Sequence, residues 1–587
     1  MRKITTIILS FIMILSLVAC GNTKKVESGL KDGQYKSIQD GHNGKIEVSL
    51  EVKNGKAEKA EIIKQDETPG LGTEAIEKIV KQFNEDKSLN LDDVTGATVS
   101  SKAVKNGLKD LMKQAGATEE MLKTSEKKTE RKIKDSYECD VVIIGAGGAG
   151  LSAAIEAAEN GAKVIVVEKA SLAGGNTLVS GGGINVAGSK HQKDRNIEDS
   201  AQKFYEDTLK AGDNMADPKL VKVMADNSLD AANWLINDIH VEFMEDRLQQ
   251  FGGHSVPRAL VPVGNKGTEL INKLLKKAEK LNVEVLYDTP AVEIFEEKGA
   301  ATGIKAKNGN KDINIKANKG VIIASGGFAS NVEMRKKYNK NYDERFKTTA
   351  TQFSTGDGIV MAEKLGAKLR DMDYIQVYPT CNPKTGIISY VANSRFDGAI
   401  LVNQKGERFV NEMGRRDEIS NAILKQDDSV AYLVWGNEIE SVGKMTEMHK
   451  KEFEKMESED LIYSSDSLED LSKHFNINVE NFTKTINKFN SYVEKETDPD
   501  FDKTGAFKPI KTGKFYIQKI APSTHHTMGG IVINEKAQVI NKDGKVIKNL
   551  YAAGEVVGGI HGTNRLGGNA ITDIIVFGRI AGKEITK

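Results

Sequence analysis

A chain of 587 residues has room for two to four domains. With 39% hydrophobic and 28% charged residues, 55 Gly and only 10 Pro, it is a globular chain, which excludes disordered, collagen-like and many-span membrane classes. The 83 basic residues equal the 83 acidic ones, so no net field draws the chain to nucleic acid, and any anionic ligand must be held by local groups. The three cysteines, Cys20, Cys139 and Cys381, form no CxxC or CxxCH pattern; a disulfide scaffold, a zinc ribbon and covalent haem are excluded, no metal site is expected, and any redox chemistry falls to organic cofactors.

Arg2 and Lys3 precede an apolar stretch from Ile7 to Ala19 broken only by Ser10 and Ser16. A charged start before an apolar run too short to hold in a bilayer predicts an export signal over residues 1–20. Its end, Leu17-Val18-Ala19-Cys20-Gly21, resembles the bacterial lipobox. That resemblance implies lipidation at Cys20, and two or three acyl chains there imply durable anchoring at the extracytoplasmic face of the cell membrane. Residues 21–32, polar and lysine-rich, predict a tether.

From 33 to 116, two alternating segments, Lys45 to Val52 and Ala57 to Lys64, flank Asn54-Gly55, a strong hairpin signal. Helical periodicity predicts a helix from about Thr73 to Phe83, and the small residues of 92–101 lead into a second helix with Ser100 or Ser101 as N-cap. Asp92, Thr95, Gly96, Ala97 and Thr98 also match D-x-x-[ST]-G-A-[ST], and the whole segment resembles the FMN-binding domain of flavin-dependent electron-transfer proteins. The resemblance implies a small α+β domain, FMN joined to Thr98 through a phosphoester by a flavin transferase, and Thr68-Pro69-Gly70 beside the isoalloxazine. Covalent attachment suits an exported protein, which cannot recapture a cofactor lost outside. Residues 117–136, rich in Glu, Lys and Thr without an apolar face, predict a linker.

Val141 to Ile144 is a continuous apolar run of the buried parallel-strand type, and Gly145-Ala146-Gly147-Gly148-Ala149-Gly150 then opens an alanine-rich helix to Asn160. Strand, glycine loop and helix in this order predict a Rossmann-like dinucleotide-binding fold. Gly145 permits the tight turn, Gly147 lets backbone approach a pyrophosphate, Gly150 lets helix pack on strand, and the helix start stabilises negative charge. Lys163 to Val167 predicts the next strand, ending at Glu168, 23 residues past Gly145, where a carboxylate can bond ribose hydroxyls. This motif alone leaves FAD and NAD open.

Three further features bear on that choice: Gly174-Gly175-Asn176-Thr177, a strand from Gly320 to Ser325 entering Gly326-Gly327, and Leu550 to Glu555. With the glycine loop they resemble the fumarate reductase and succinate dehydrogenase flavoprotein family over nearly all of 138–587, in the pattern of flavocytochrome-type soluble fumarate reductases and urocanate reductases. The resemblance implies non-covalent FAD contacting Gly145, Gly147, Gly150, Glu168, Gly174, Gly175, Asn176, Thr177, Gly182, Asp357, Glu555, Gly568 and Ala570. It also implies an α/β protein whose FAD-binding domain, 137–372 and 519–587, receives an inserted α+β cap, 373–518, that closes over the flavin.

Reduction of an α,β-unsaturated acid requires cations that grip the carboxylate, a hydride donor at the β-carbon and an acid at the α-carbon. By the same resemblance Arg416, in Asn411-Glu412-Met413-Gly414-Arg415-Arg416-Asp417, delivers the proton. His525 and Arg565, 40 residues apart, hold the near carboxylate, and Tyr378 stands where fumarate reductases have a histidine for the far one. The Glu of the family's Ser/Thr-Glu-x-x-Arg is Ala392 here, in Val391-Ala392-Asn393-Ser394-Arg395, which keeps Arg395 as proton relay. Two polar contacts for a far carboxylate are thus absent, and burying one unpaired costs several kcal/mol, about 3–5 by analogy with broken buried ion pairs. Tyr378 resembles urocanate reductases, where a tyrosine faces the imidazole. Their ring-binding Asp corresponds to Asn393, or to the nearby Asp397.

The expectation is therefore an extracytoplasmic two-flavin reductase of a urocanate-type enoate used as electron acceptor, fed by a quinol-linked or free-flavin donor. A fumarate reductase, a cinnamate- or acrylate-type reductase, a non-catalytic electron-carrying flavin lipoprotein, and an oxidase like L-aspartate oxidase stay open. An upstream flavin serves electron delivery, which argues against the last.

Overall fold

The computed structural model describes residues 29–41, 44–67, 72–91, 94, 97–125, 134–503 and 505–587. The signal segment with Cys20, the Thr68-Pro69-Gly70 loop, and Asp92, Thr95 and Gly96 of the FMN motif lie outside these residues. The chain divides into two compact units, one drawn mainly from residues before 131 and the other mainly from 131–587. No helix among the described residues is long and apolar enough to cross a membrane.

The smaller unit is a three-stranded antiparallel sheet with helices. Strands Lys45–Lys53 and Lys56–Lys64 form the expected hairpin, and the turn residues Asn54 (φ 52°) and Gly55 (φ 73°) take the left-handed conformation that this tight turn demands. Gly33–Asp40 adds a third strand that alternation had not marked. Ile46, Val48, Leu50 and Val52 all point to one buried face, the period-2 signature of a half-covered sheet. Helix Gly72–Asp86 buries Ile76, Ile79 and Phe83, and Asn84 ties it to the sheet through Ala60 N (2.7 Å) and O (2.8 Å). Helix Thr98–Gln114 begins at the threonine of the FMN motif and buries Val104, Leu108 and Leu111. The end of the expected tether is docked: Asp32 accepts from Asn54 N and Gly55 N at 3.0 and 2.8 Å. Within the expected linker the chain forms helix Glu119–Ser125, with Leu122 buried.

The larger unit is built on an eight-stranded sheet. Its main path runs Ala291–Glu297, Ala300–Asn308, Val546–Ala552, Lys311–Ile323, Ser136–Ile144, Val164–Val167 and Glu284–Leu286, with Gln538–Ile540 paired to Val546–Ala552. Val141 to Ile144 and Val164 to Val167 are buried on both faces, as a parallel sheet covered by helices requires. Lys311–Ile323 is longer than the sequence pattern suggested. Its first half, 311–316, pairs antiparallel with Ala300–Asn308; from Asn314 to Ile323 it pairs parallel with Ser136–Ile144, and its last three residues also pair parallel with Val546–Ala552. The register shifts between Ala317 and Gly320, and Gly320 (φ +139°) makes the change possible, because a Cβ there would lie 2.2 Å from Asn549 O.

Within the larger unit, the residues expected to form the cap gather a second hydrophobic core around a five-stranded sheet, ordered Ile375–Cys381, Phe515–Thr527, Ala431–Trp435 and Ile400–Val402, with Ile462–Ser465 also on Phe515–Thr527. Phe515–Thr527 carries the chain through position 518 without a break: residues 515–520 pair inside the cap, and residues 521–527 pair with Ile375–Cys381. One continuous strand thus delivers His525 from the cap sheet to the cofactor side.

Candidate active site

A single cavity enclosing about 1740 Å³ of atom-free space, partly open to solvent, lies against the carboxyl ends of the parallel strands, with Ile144, Val167, Ala324 and Ala553 in its wall. That is where ligands of open α/β sheets sit, because the strand ends leave a crevice edged by helix N-termini.

Its glycine-lined end is mostly backbone. Gly145 (φ +105°) donates to Val167 O at 2.8 Å, and a Cβ there would meet Ala324 O at 2.4 Å. Gly150 faces inward under the loop: a Cβ there would lie 1.9 Å from Gly145 O, so only glycine lets the helix Gly148–Glu159 pack this close. Gly147 and Gly174 bridge, and space remains over Gly147, Gly175 and Gly326, where an added Cβ meets nothing nearer than 3.9 Å. Glu168, raised by burial above the usual carboxylate range, accepts from Ala146 N and Ala170 N, both at 2.8 Å. Glu555, also raised by burial, accepts from Thr527 N at 3.0 Å and Asn176 Nδ2 at 3.1 Å. Asp357 is paired with Lys169 Nζ at 2.7 Å. The 16-residue helix Asn569–Glu584 starts at Gly568 (φ +83°), whose neighbour Gly567 O accepts from Asn185 Nδ2 at 2.6 Å.

FAD fits this end. His526 is 5% exposed and lines the cavity, yet neither ring nitrogen has a hydrogen-bond partner, so a ligand polar group is missing there. The open glycine cradle takes a pyrophosphate, and the helix start at Gly568 offers backbone N–H groups to an electron-rich ring edge.

The other end is made of side chains from four distant segments. Arg416 Nη1 and Arg565 Nη2 both donate to one oxygen, Gln376 Oε1, at 3.2 and 3.0 Å. The Gln376 amide nitrogen is fixed in turn by Asn564 Oδ1 (2.8 Å) and Arg565 O (2.7 Å). Tyr378, two residues on in the same strand, presents its ring to the Arg416 guanidinium at 4.7 Å and to the His525 ring at 5.0 Å. Thr349 Oγ1 lies 2.6 Å from His525 Nδ1. Burial pulls Arg416 down to about 10, with Arg395 adding to the shift and Tyr378 opposing it. Arg565 falls well below its ordinary value through burial and the Arg416 charge, and His525 falls through burial, Arg416 and Arg565, which keeps it neutral. Arg565 feels the Glu555 and Asp573 charges, but among the described residues neither Arg416 nor Arg565 forms an ion pair with a carboxylate, so these buried guanidinium groups favour an anion between them.

Most of the expected site residues meet in this one cavity: Gly145, Gly147, Glu168, Gly175, Asn176, Thr177, Gly182, Asp357, Tyr378, Asn393, Arg416, His525, Glu555, Arg565, Gly568 and Ala570. Three stand behind its wall. Gly150 and Gly174 pack against Gly145 O and Leu178, and Arg395 is fully buried, donating to Glu412 O at 2.6 Å and bonding Tyr378. Asp397 turns away to Arg247 at 4.0 Å, and Ala392 is buried. The sequence reading missed Gln376, although its position two before Tyr378 puts it on the same strand face. It also missed Glu452, which accepts from Ser389 Oγ at 2.7 Å and Tyr390 N at 3.0 Å directly behind the cavity wall.

A glycine-cradled dinucleotide cavity that opens onto a cluster of arginines marks the large unit as a flavin-dependent oxidoreductase. The FAD binding domain family matches residues 140–571, and the FMN-binding domain family matches residues 41–113. Urocanate reductase of Eggerthella lenta is 41% identical over 554 residues, 92% of this chain and 90% of that one. The cytochrome-type fumarate reductase of Shewanella frigidimarina is 40% identical over 452 residues, 76% of this chain and 77% of that one. The solved open conformation of a flavocytochrome c3 fumarate reductase superposes with a TM-score of 0.64 at 35% identity, covering 77% of this chain and 78% of that one. The chain belongs to the fumarate/urocanate reductase flavoprotein family, in the branch that joins an FMN-binding domain to the FAD-binding one.

Proposed function

We propose that this protein is a lipid-anchored, extracytoplasmic reductase of an α,β-unsaturated monocarboxylate of the urocanate type. The observation that carries the reading is the pair Arg416 and Arg565 on a single Gln376 oxygen, with Tyr378 and Ala392 where a second carboxylate would need polar partners. Arg565, Arg416 and neutral His525 bind the carboxylate. Thr349 Oγ1 pairs with His525 Nδ1 at 2.6 Å, and the tautomer in which Thr349 donates leaves Nε2–H free to donate to a substrate oxygen. Held in the glycine cradle beside Glu555, FAD would supply hydride chemistry to the substrate's double bond.

Arg416 gives the α-carbon its proton. A free guanidinium hardly releases one near neutrality, and the downward shift of Arg416 brings it nearer to that task. Arg395, bonded to Tyr378 behind it, resupplies the proton. FMN joined to Thr98 would supply electron transfer to the site, and the helix that begins at Thr98 favours a phosphate at its start. Cys20 carries the lipid anchor, a flavin transferase attaches the FMN, and a quinol-linked or free-flavin donor reduces it.

The test is steady-state reduction of urocanate, cinnamate, acrylate and fumarate by the doubly flavinylated protein with a reduced dye. Fumarate turnover far above the other acids overturns the monocarboxylate assignment, because fumarate needs the far-carboxylate contacts that this chain lacks. Acid precipitation tests the covalent link: yellow chromophore must stay with the protein and leave it in Thr98→Ala.

A further inference from the structure

We propose that His254 is a positioning residue for both ends of the cavity: clamped from behind by the buried Arg258, its ring fixes the Gly567 carbonyl, and with it the Gly568 helix start on the flavin side and the Arg565 guanidinium on the substrate side. The flavin half follows from the FAD-binding fold, and the Arg565 half rests on the reductase reading.

The loop 250–255 lies against both segments that carry the arginines. Gly253 (φ +90°) packs on the Leu566 side chain, where a Cβ would meet Leu566 Cδ2 at 2.6 Å. Gly252 packs on the chain just before Arg416, where a Cβ would lie 2.8 Å from Met413 O and from Gly414 O. His254, 6% exposed, stands on this loop with Nε2 3.0 Å from Gly567 O and Nδ1 3.1 Å from Arg258 Nη1. A guanidinium only donates, so Nδ1 accepts from Arg258, and Nε2 carries the hydrogen that Gly567 O accepts. The Asn185 amide nitrogen is the second donor on that oxygen, at 2.6 Å, and its other hydrogen goes to Asn569 Oδ1 at 2.7 Å. Asn185 Nδ2 and His254 Nε2 approach to 3.1 Å because both converge on this carbonyl. Both lone pairs of Gly567 O are thus taken, between Arg565 and the helix start.

Arg258 is itself held rigid. It is fully buried, donates through Nε and Nη2 to the two oxygens of Asp199, both at 2.9 Å, and gives the second Nη1 hydrogen to Asp207 Oδ2 at 2.7 Å. Asp207 Oδ2 also accepts from Ser255 N at 3.0 Å and Ser255 Oγ at 2.7 Å. Burial and the Arg258 charge push His254 down to about 3, with Gly567 O and the two carboxylates opposing, so the ring stays neutral and keeps this tautomer. His254, Arg258, Asp199 and Asp207 do not line the cavity, so they act on it only through what they hold. A fully satisfied buried network rigidifies its members, and this one ends on the turn. Backbone N–H groups at a helix start favour the extra negative charge of a reduced flavin, so a turn that drifts lowers the flavin's potential. The same drift loosens Arg565, whose Nη1 donates to Leu566 O at 3.0 Å.

The experiment compares the holoenzyme with His254→Asn and His254→Gln. In His254→Asn the side chain still accepts from Arg258 but ends short of Gly567 O; in His254→Gln it carries an N–H to that carbonyl. Spectroelectrochemical titration reads the FAD wave, identified as the one that bromide stripping removes and added FAD restores, and steady-state kinetics read the best enoate. His254→Asn should lower the FAD midpoint by about 30 mV, an about tenfold loss of preference for reduced flavin, and leave the other flavin's wave in place. Its KM for the enoate should rise about tenfold with a smaller change in kcat. His254→Gln should bring the midpoint to within about 15 mV of the parent, which is about threefold. FAD lost from His254→Asn and kept by His254→Gln gives the same answer. An unmoved FAD wave in His254→Asn, equal shifts in both variants, or FAD lost from both alike overturns the proposal, since packing alone would then account for His254. An enoate KM that stays at the parent value while the midpoint falls overturns the Arg565 half. If the parent reduces no enoic acid, the reductase reading and the Arg565 half fall together, and the potentials still decide the flavin half.

Discussion

At one end the cavity is made of backbone: glycines 145, 147 and 150 within six residues, the turn at Gly174 and Gly175, and the helix start at Gly568. At the other end it is made of charged and aromatic side chains from residues 376–378, 416, 525 and 565, locked to one another through Gln376. The backbone end binds a cofactor whose phosphates any helix start can recognise, so it needs absence of side chains more than presence of particular ones. The side-chain end must place opposing demands, two cations and a neutral imidazole, within one hydrogen-bonded cluster, and each member depends on a partner far away in sequence. Damage should therefore be geometric at the first end and chemical at the second.

The largest effect expected comes from Gly150→Val. A Cβ 1.9 Å from Gly145 O forces the helix away from the strand, and the FAD cradle opens. The purified variant should contain almost no extractable adenine-containing flavin and no reductase activity; a full complement of FAD would contradict the role assigned to this helix approach. Arg416→Ala should keep FAD, because Arg416 touches Gln376 and Tyr378 and no part of the glycine cradle. Reduction of the best enoate should fall by about 10²–10⁴-fold, the range for loss of a positioned acid. Unchanged turnover with FAD bound would reassign the proton donor. Gln376→Leu sits between the two: it leaves both guanidinium groups present but removes their shared acceptor. Hydrogen bonds to charged groups are worth about 1.5–3 kcal/mol, so KM should rise about 10–100-fold with a smaller change in kcat.

The same contrast explains what the sequence revealed. The flavin end was readable because strand, glycine loop, helix and Glu168 follow one another over 28 residues, and local chain order determines local geometry there. Arg416, His525 and Arg565 were recognisable only by resemblance to a family; nothing in their own surroundings distinguishes a buried arginine from a surface one. Gln376 carried a weak signal, its strand phase with Tyr378. Glu452 carried none, since its partners Ser389 and Tyr390 lie 63 and 62 residues away and are brought to it only by the cap's tertiary packing. The long strand Lys311–Ile323 was half seen, because only its end, Val321 to Ile323, is a continuous apolar run, while its first half alternates with charged residues.

Glu452 gives the smallest and most selective prediction, because it supports the cap side of the cavity without lining it. Burial raises its carboxyl to about 7, against an ordinary value of 4.5, and the hydrogen bonds from Ser389, Tyr390 and Val391 only partly offset that. Between those two pH values the folded protein binds a proton that the unfolded chain has lost. Stability from this group is thus greatest below about 4.5 and is lost as pH rises through about 7. Glu452→Gln keeps an amide oxygen for Ser389 Oγ and Tyr390 N but carries no charge to bury. It should stabilise the protein at pH 8 by about 1–3 kcal/mol and have little effect at pH 4.5, read as the difference in Tm between variant and parent at each pH. A variant less stable than the parent at pH 8 would mean that the ionised carboxylate is held by its backbone donors more strongly than burial disfavours it, and the cap wall behind Tyr390 would then be an anion site in its own right.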